Sequence, residues 1–191
     1  MARPSCSVQS IDPKRLGIVF YPDPVLLRRA QPVEAVTDQV RAVALRMIEL
    51  MHEARGVGLA APQVGLSWRL FVANPTGQSG NDRVMINPVL HNPSRETIGH
   101  EEGCLSVPGV TGQITRSSTI TVEAIDLAGQ HYRLTSDELP ACVWQHEMDH
   151  LNGVLIMDRM APIDRMANRR TLQDLERNYA PVTTPTVMRN L

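Results

Sequence analysis

Apolar residues recur at helical spacing between positions 36 and 54 of the chain. The apolar stripe is formed by Val40, Val43, Ala44, Met47 and Met51. Because these positions share one face at a period of 3.6 residues, the pattern predicts an amphipathic α-helix that buries this face in a core. Thr37 or Asp38 can cap the start of the helix, and Gly56 suits a left-handed position just past its end.

Shorter periodic segments predict two antiparallel hairpins. Apolar runs at residues 70–74 and 84–90 flank a turn-rich stretch, which is typical of paired strands. Polar and apolar side chains alternate in residues 119–125, and residues 130–135 follow after an Ala-Gly turn. The glycine-rich stretch GVGLAAPQVG, residues 56–65, instead predicts an irregular loop.

The second half of the chain carries signals for two further helices. One is predicted at about residues 137–152, with acidic residues and Pro140 in its first turn and Gly153 just past its end. The other is a charged segment at about residues 163–179.

The chain contains no internal repeat and no linker-like stretch. Its 191 residues, 42% of them apolar, are enough to bury one core. Residues 1–14 and 180–191 show no periodicity, so we expect both ends to be loose. Residues 1–191 are therefore expected to form a single domain with an ordered core from about residue 15 to residue 180.

The net charge and the distribution of apolar residues limit which kinds of macromolecule or membrane the chain can bind. The 19 basic and 20 acidic residues give a net charge of −1, which provides no field for binding nucleic acid or anionic lipid. No apolar run approaches the roughly 20 residues that a membrane helix needs. We therefore expect neither a membrane partner nor sequence-specific binding of nucleic acid.

The N-terminal region and the cysteines indicate the cellular compartment of the protein. Residues 1–15 lack the apolar stretch of a signal peptide. Three scattered cysteines, Cys6, Cys104 and Cys142, do not suit a disulfide framework and favour a reducing compartment. We therefore expect a cytoplasmic protein. A short organelle-targeting segment is the alternative, because Arg3 and three serines precede the first acidic residue.

The predicted helix at residues 137–152 contains the sequence QHEMDH. His146 and His150 are four residues apart, so their imidazoles project from one face and can bind one metal ion. Glu147 can then act on a water at that metal. A pattern with two free positions also arises by chance, so a polar helix face without metal is the alternative.

Three apolar residues precede His146 on the same helical stripe, and they are Leu139, Cys142 and Val143. Together they predict an apolar pocket wall beside the metal, although each of them alone is better explained as core. Such a wall offers no charged partner, so it favours an apolar substrate side chain.

Two histidines leave a catalytic metal in need of a further protein ligand, and no third His or Glu follows at the spacing of common zinc proteases. Cys104 lies in the sequence EGCLS, 42 residues before His146. A thiolate suits Fe(II) or Zn(II). A lone cysteine is by default structural, but beside HExxH metal ligation becomes the better explanation. Three protein ligands leave an open position for water.

The segment GVGLAAPQ, residues 56–63, is not a dinucleotide or phosphate loop, because it follows a helix and no Lys-Ser/Thr pair ends it. Small residues around Val57 and Gly58 can let the backbone approach a substrate, and Gln63 offers an amide donor to a developing oxyanion. A tight turn with a surface glutamine is the alternative.

Together, GVGLAAPQ, EGCLS and QHEMDH resemble the peptide deformylases, which remove the N-formyl group from the initiating methionine of new polypeptides. The likeness runs from about Ile18 to Met160, and three motifs in this order are highly specific. It implies an α+β fold with antiparallel sheets packed around the central helix that carries HExxH, followed by a C-terminal helix. The two predicted hairpins and the late helix agree with that fold.

The resemblance also implies roles for individual residues. The implied metal ligands are Cys104, His146 and His150. Glu147 would be the general acid/base, and Gln63 with the backbone N–H of Leu105 would bind the oxyanion. The implied cofactor is one divalent ion, usually Fe(II), which Zn(II), Ni(II) or Co(II) can replace. The implied substrates are N-formylmethionyl nascent polypeptides.

The chain departs from the bacterial pattern after EGCLS. Bacterial members often carry an arginine soon after this motif that helps to hold the peptide, whereas the first basic residue here is Arg116. His100, just before the motif, is expected to face the surface rather than to serve the site. In bacterial members of the family that the chain resembles, a C-terminal helix can contact the ribosome. The arginines here are more simply explained as solvated charges, and they are Arg165, Arg169, Arg170 and Arg177.

Two rival functions remain at this point. An endopeptidase of the HExxH class predicts internal cleavage of unblocked peptides instead of formate release. A metal-stabilised binding module predicts a closed site with four protein ligands, and it has no need of Glu147.

Overall fold

The computed structural model describes residues 11–180. Within this range the strands are β1 (Gly58–Ala60), β2 (Leu70–Ala73), β3 (Arg83–His91), β4 (Thr97–Gly103), β5 (Thr111–Ser117), β6 (Thr119–Ile125) and β7 (His131–Asp137). The α-helices are α1 (Asp38–Glu53), α2 (Glu138–Leu151), α3 (Pro162–Ala167) and α4 (Arg169–Arg177). The fold is α+β, as the resemblance implies.

Five strands form one antiparallel sheet in the order β1-β2-β3-β6-β7. Both predicted hairpins are confirmed, since β2 pairs with β3 and β6 pairs with β7. The remaining strands, β4 and β5, form a separate two-stranded antiparallel sheet.

The five-stranded sheet lies between α1 and α2. Successive residues of a strand point to opposite faces, so in β2 Leu70 and Val72 pack with residues of α1, whereas Phe71 packs with residues of α2. Both helices match their predictions. Thr37 caps α1, because its hydroxyl oxygen accepts a hydrogen bond from the N–H of Val40 at 3.3 Å. Packing against the sheet thus holds α2, which carries the HExxH motif, in the interior.

The β4–β5 hairpin has no counterpart among the predicted elements. Alternate residues of β5 are buried, namely Gly112, Ile114 and Arg116. Only Ile114 of these is a large apolar residue, so the sequence shows no apolar alternation there. The hairpin packs on the chain that follows α2, where Ile114 joins a cluster with Leu155 and Met160. It thereby brings Cys104, the residue after β4, against α2.

Residues 56–65 are more regular than predicted. They include β1, an edge strand paired with β2, and a 3₁₀ turn at Ala61–Val64. The irregular-loop prediction is wrong here because the pairing partner of β1 lies elsewhere in the chain. The left-handed residue after α1 is Arg55, with φ of 56°, and not Gly56.

The prediction of one continuous C-terminal helix at residues 163–179 is wrong, because the segment forms two helices, α3 and α4, which are separated at Asn168. The side-chain amide of Asn168 donates to the carbonyl of Thr111 at 2.8 Å. The N–H of Gln113 donates to the carboxylate of Asp164 at 3.1 Å. These bonds tie α3 to β5.

None of the helices within residues 11–180 has the length and apolar character to cross a membrane. The ends expected to be loose fall largely on residues 1–10 and 181–191, which lie outside the described range. Residues 13 and 14 are an exception, because they belong to a 3₁₀ turn at Pro13–Arg15 whose start is capped by Asp12.

Candidate active site

Three side chains with metal-binding atoms converge where α2 passes the end of β4. His146 and His150 stand on adjacent turns of α2, and Cys104 follows β4 directly. One ligand atom from each residue lies within 4.8 Å of the others, and the Cys104 Sγ is 3.2 Å from the Nε2 of His150. Two imidazoles and a thiol form a donor set that suits a borderline divalent ion.

The hydrogen bonding of the two histidines fits such an ion. The Nδ1 of His146 is 2.9 Å from the Oε2 of Glu102, which places a proton on Nδ1 and leaves Nε2 as the ring nitrogen for a metal ion. Burial lowers the pKa of His150, and the nearby charges of His146 and Arg116 lower it further. His150 is therefore a neutral imidazole near pH 7, which is the form that binds metals. Cys104, His146 and His150 are thus able to hold one divalent ion.

A buried network of charges supports His146 from behind. Arg116 donates from its NH2 group to the Oε2 of Glu102 at 2.8 Å and from its NH1 group to the Oδ2 of Asp149 at 3.0 Å. Arg159 donates from its Nε to the same Asp149 oxygen at 3.0 Å. Burial by itself raises the pKa of Glu102, but the hydrogen bonds from Arg116 and His146 lower it to about 2. Glu102 is therefore an anion that fixes the orientation of His146.

Sequence patterns did not identify this network. In the sequence Arg116 is distinguished only as the first basic residue after EGCLS, whereas the structure buries its side chain between Glu102 and Asp149. Glu102 and Asp149 were visible only as neighbours of Cys104 and His150 in the two motifs. The charged residues at these positions do not by themselves indicate an ion-pair network. Arg116 is 14 residues from Glu102 and 33 residues from Asp149 in the sequence, so no local pattern links them.

The Glu147 carboxylate has a different environment from that of Glu102. Glu147 is buried, and its Oε2 atom has no hydrogen-bond partner within residues 11–180. Burial raises its pKa to about 7, although the charges of His146 and Arg116 oppose this shift. A carboxyl group with such a pKa can both accept and donate a proton near neutral pH.

Gln63 is held with its amide group directed at the metal-binding atoms. Its Oε1 accepts a hydrogen bond from the N–H of Ala60 at 2.8 Å, and its Nε2 lies 3.6 Å from the Sγ of Cys104. Gln63 is 1% exposed, so the alternative of a surface glutamine does not hold. Leu105 lines the same cavity beside Cys104.

A cavity of about 390 Å³ opens beside these groups. The residues predicted to contact a substrate all line it, and they are Val57, Gly58, Leu139, Cys142 and Val143. Cys142 and Val143 are buried, whereas Val57 and Leu139 are 41% and 39% exposed. The cavity therefore has an apolar floor and a rim open to solvent. His100 is exposed, as expected, but it also lines the rim.

Residues 16–166 match the family model of the polypeptide deformylases. The chain is similar to the peptide deformylase of Acinetobacter baumannii, with 42% identity over 162 residues, which cover 85% of this chain and 92% of that protein. It is also similar to the chloroplast peptide deformylase 1B of Oryza sativa, with 38% identity over 170 residues. That match covers 88% of this chain, but the chain spans less than two thirds of the rice protein, at 63% of its length.

Solved structures agree with these matches. A structure of the peptide deformylase from Plasmodium falciparum is similar with a TM-score of 0.82 and 37% identity, over 85% of this chain and 96% of that chain. The peptide deformylase of Thermotoga maritima is similar with a TM-score of 0.73 and 42% identity, over 77% of this chain and 98% of that chain. The family match extends over well more than half of the residues and includes every motif of the site. The chain therefore belongs to the polypeptide deformylase family.

Proposed function

We propose that this chain is a metal-dependent peptide deformylase, which hydrolyses the N-formyl group from the initiator methionine of newly made polypeptides and releases formate. The observation that carries the proposal is the placement of Glu147, a buried carboxylate whose Oε2 has no hydrogen-bond partner within residues 11–180, beside three convergent metal-binding atoms at an apolar cavity. Membership of the deformylase family supports the choice of reaction.

Cys104, His146 and His150 would hold the ion, which we propose to be Fe(II), with Zn(II), Ni(II) or Co(II) as replacements. When bound, such an ion supplies a Lewis acid and lowers the pKa of a coordinated water toward about 7. The donor set suits all four metals, so metal analysis of protein purified without oxygen is the test of the native one.

Glu147 would move the protons of the reaction. Its carboxylate accepts a proton from the water that attacks the formyl carbon, and the resulting acid donates that proton to the departing amine nitrogen. The pKa of about 7 fits both steps, because neither form of the carboxyl group is strongly favoured at neutral pH. A structural metal site would have no use for such a group.

Gln63 and the backbone N–H of Leu105 would stabilise the oxyanion that forms on the formyl oxygen. The bond from Ala60 orients the Gln63 amide so that one N–H contacts the Sγ of Cys104 and the other can donate into the cavity. Because this bond fixes the side chain before substrate binds, little reorganisation is needed during the reaction.

The cavity floor would accept the methionine side chain. Cys142 and Val143 provide apolar contacts there, Leu139 extends this apolar wall toward the rim, and Val57 and Gly58 line the same cavity. Both β1 and β4 are edge strands, and residues of both line the cavity, so an extended peptide can add its backbone hydrogen bonds to these strands.

The direct test is a formate-release assay on formyl-Met-Ala-Ser, with metal analysis of the same anaerobic sample. We expect formate and free Met-Ala-Ser in equal amounts from protein that carries one metal ion. Internal cleavage of unblocked peptides without formate release would instead support the endopeptidase. Metal without any hydrolysis would support the binding module.

Substrate preference should follow the apolar floor of the cavity. We expect formyl-methionyl and formyl-norleucyl peptides to be good substrates, and formyl-aspartyl or formyl-lysyl peptides to be poor ones. A charged side chain would lose its hydration in this pocket without gaining a partner. Comparison of kcat/KM across the four peptides measures this effect. Equal values for formyl-Met and formyl-Asp peptides would exclude this pocket as the methionine site.

Gly58 leaves room for Glu147, so Gly58→Ala should disturb catalysis. A Cβ at Gly58 would lie 2.8 Å from the Cδ of Glu147, which is too close for two carbon atoms that are not bonded to each other. We expect the carboxylate to shift and kcat/KM to fall by about tenfold or more, with metal content retained. Gly17→Ala is the matched control, because a Cβ there would have no heavy atom within 4 Å. Full activity of Gly58→Ala would contradict the position assigned to Glu147.

The last two parts of the proposal concern the cellular location of the protein and its contact with the ribosome. We propose a cytoplasmic location, although relatives include chloroplast as well as bacterial proteins, and imaging of a tagged chain in its own cells would test this. A ribosome contact of the C-terminal helix, the alternative to solvated charges, is best tested with Arg169→Glu and Arg170→Glu, since both residues are exposed. Truncation before Asp164 would also remove the bonds to β5. Unchanged co-sedimentation with ribosomes would exclude a role for these charges.

A further inference from the structure

Arg159 forms the outer end of the charge network behind His146. Its Nε donates to the Oδ2 of Asp149 at 3.0 Å, and its NH2 group donates to the Oδ1 of the same carboxylate. Half of the Arg159 side chain is exposed, whereas the side chains further along the network are buried. An unbroken series of hydrogen-bonded ion pairs therefore connects a surface arginine with a proposed metal ligand, in the order Arg159, Asp149, Arg116, Glu102 and His146.

Arg116 is the donor that the two buried carboxylates of this network share. It donates from Nε and NH2 to the two oxygens of Glu102, and from NH1 to the Oδ2 of Asp149. Arg159 supplies the second positive charge that balances these two anions. The Oδ1 of Asp149 accepts a hydrogen bond from Arg159, and no other donor in the described part of the chain reaches this oxygen. Without Arg159, Asp149 would therefore compete more strongly with Glu102 for Arg116.

This competition would affect His146, because Glu102 is the partner that orients its ring. The Oε2 of Glu102 accepts from the NH2 group of Arg116 at 2.8 Å and lies 2.9 Å from the Nδ1 of His146. A shift of Arg116 toward Asp149 would loosen the Glu102 carboxylate and let it turn away from the imidazole. Partners that orient a ligand histidine in this way contribute to the affinity for the metal.

The chain that follows α2 fixes the position of Arg159. The N–H of Arg159 donates to the carbonyl of Ile156 at 3.0 Å, at the end of a 3₁₀ turn. Met157 and Met160, on either side of Arg159, are buried in the cluster shared with β5. Because these neighbours restrict the backbone, the two-pronged contact with Asp149 has a low entropic cost.

We propose that Arg159 is a positioning residue of the metal site, which holds Asp149 so that Arg116 stays on Glu102 and His146 keeps the orientation that binds the ion. This inference rests on the metal-dependent function proposed above. Arg159 lies outside the cavity, so it acts on the metal site through the network and not on the peptide.

The test measures how fast the metal-loaded enzyme loses its ion to an excess of chelator. We expect Arg159→Gln to lose the ion about three- to tenfold faster than the wild type, which is less than for a direct partner of a ligand, because three side chains intervene. Arg159→Lys keeps the charge but not the two parallel hydrogen bonds, so its rate should lie between the other two. The KM for formyl-Met-Ala-Ser should stay unchanged. Arg46→Gln is the matched control, because Arg46 also pairs with two carboxylates, but on α1 and outside the cavity.

A double-mutant cycle with Glu102→Gln tests the connection through the network. In that background, Arg159→Gln should change the rate of metal loss by less than about twofold, because the connection is already cut at Glu102. An undiminished effect would overturn the proposal, since Arg159 would then act without Glu102. An unchanged rate in Arg159→Gln would also overturn it, as would an equal acceleration in Arg46→Gln. The single variants decide the proposal by themselves if Glu102→Gln retains no metal.

The outcomes separate this inference from the proposed function, because metal loss is measured without substrate. Normal formate release by the wild type, with an unchanged rate of metal loss in Arg159→Gln, would overturn the role of Arg159 alone. A wild type that holds metal but releases no formate would overturn the proposed reaction, and the rates of metal loss would still decide the role of Arg159. A wild type that binds no metal would overturn both.

Discussion

The Glu147→Gln variant is expected to keep its metal and to lose most of its catalytic rate. Glutamine keeps the size of the side chain but cannot accept a proton, and Glu147 stands between the proposed ligands without being one of them. Loss of a positioned general acid/base lowers kcat by about 10²-fold or more. Binding of formyl-methionyl peptides should change much less, because the cavity and the metal-binding atoms remain. Single-turnover rates measure the loss of catalytic rate, and metal analysis on the same sample measures the metal that is retained.

A higher pH should not restore the rate of Glu147→Gln fully. Hydroxide can replace the base, but the departing amine still lacks its proton donor. Glu34→Gln is the matched control, because it makes the same chemical change at an exposed position outside the cavity. Loss of metal from Glu147→Gln would show that Glu147 is a ligand or supports one. Full activity would require a different hydrolytic mechanism.

The Cys104→Ser variant is expected to lose metal and activity together. A serine hydroxyl is not deprotonated at neutral pH and is a harder, weaker ligand than a thiolate, so the remaining histidines hold the ion poorly. Metal content after dialysis and the formate-release rate should therefore fall in parallel. The imidazoles of His146 and His150 would remain in place, since α2 is fixed by its own packing.

Cys142→Ser provides the matched control for this variant. Cys142 is a buried cysteine of the same cavity, but it is not among the three convergent metal-binding residues. Its substitution should leave metal content unchanged and alter KM at most modestly through the pocket wall. Cys6→Ser should be silent, although Cys6 lies outside the described residues. Full metal occupancy in Cys104→Ser, or loss of metal in Cys142→Ser, would contradict the ligand assignment.

Local sequence was sufficient for the elements whose stability is encoded within a few neighbouring residues. The helices α1 and α2 and the hairpins β2–β3 and β6–β7 follow from apolar periodicity and turn residues, and all four are present in the structure. The pairing of His146 with His150 follows from helical geometry alone. Cys104 could be added because the motifs occur in a recognisable order, although nothing local shows that its thiol approaches α2.

The β4–β5 hairpin shows why other parts could not be predicted. Its inward positions include Glu102 and Arg116, and charged residues are stable in an interior only when partners neutralise them. Glu102 and Arg116 pair with each other, 14 residues apart, and their other partners, His146 and Asp149, come from α2, so no local pattern reveals the burial. Similarly, β1 has three residues and owes its form to β2, and the bend at Asn168 depends on a bond to Thr111.

The sequence by itself thus determined the principal helices, the two hairpins and the identity of the groups that can bind a metal and move a proton. Periodicity and residue chemistry are local properties, so they can be recognised without the fold. The tertiary structure decided which charges are buried and which are free. It neutralises Arg116 within the network behind His146 and leaves one oxygen of the Glu147 carboxylate without a hydrogen-bond partner within residues 11–180. These differences arise from contacts between residues distant in sequence, and only the folded chain brings those residues together.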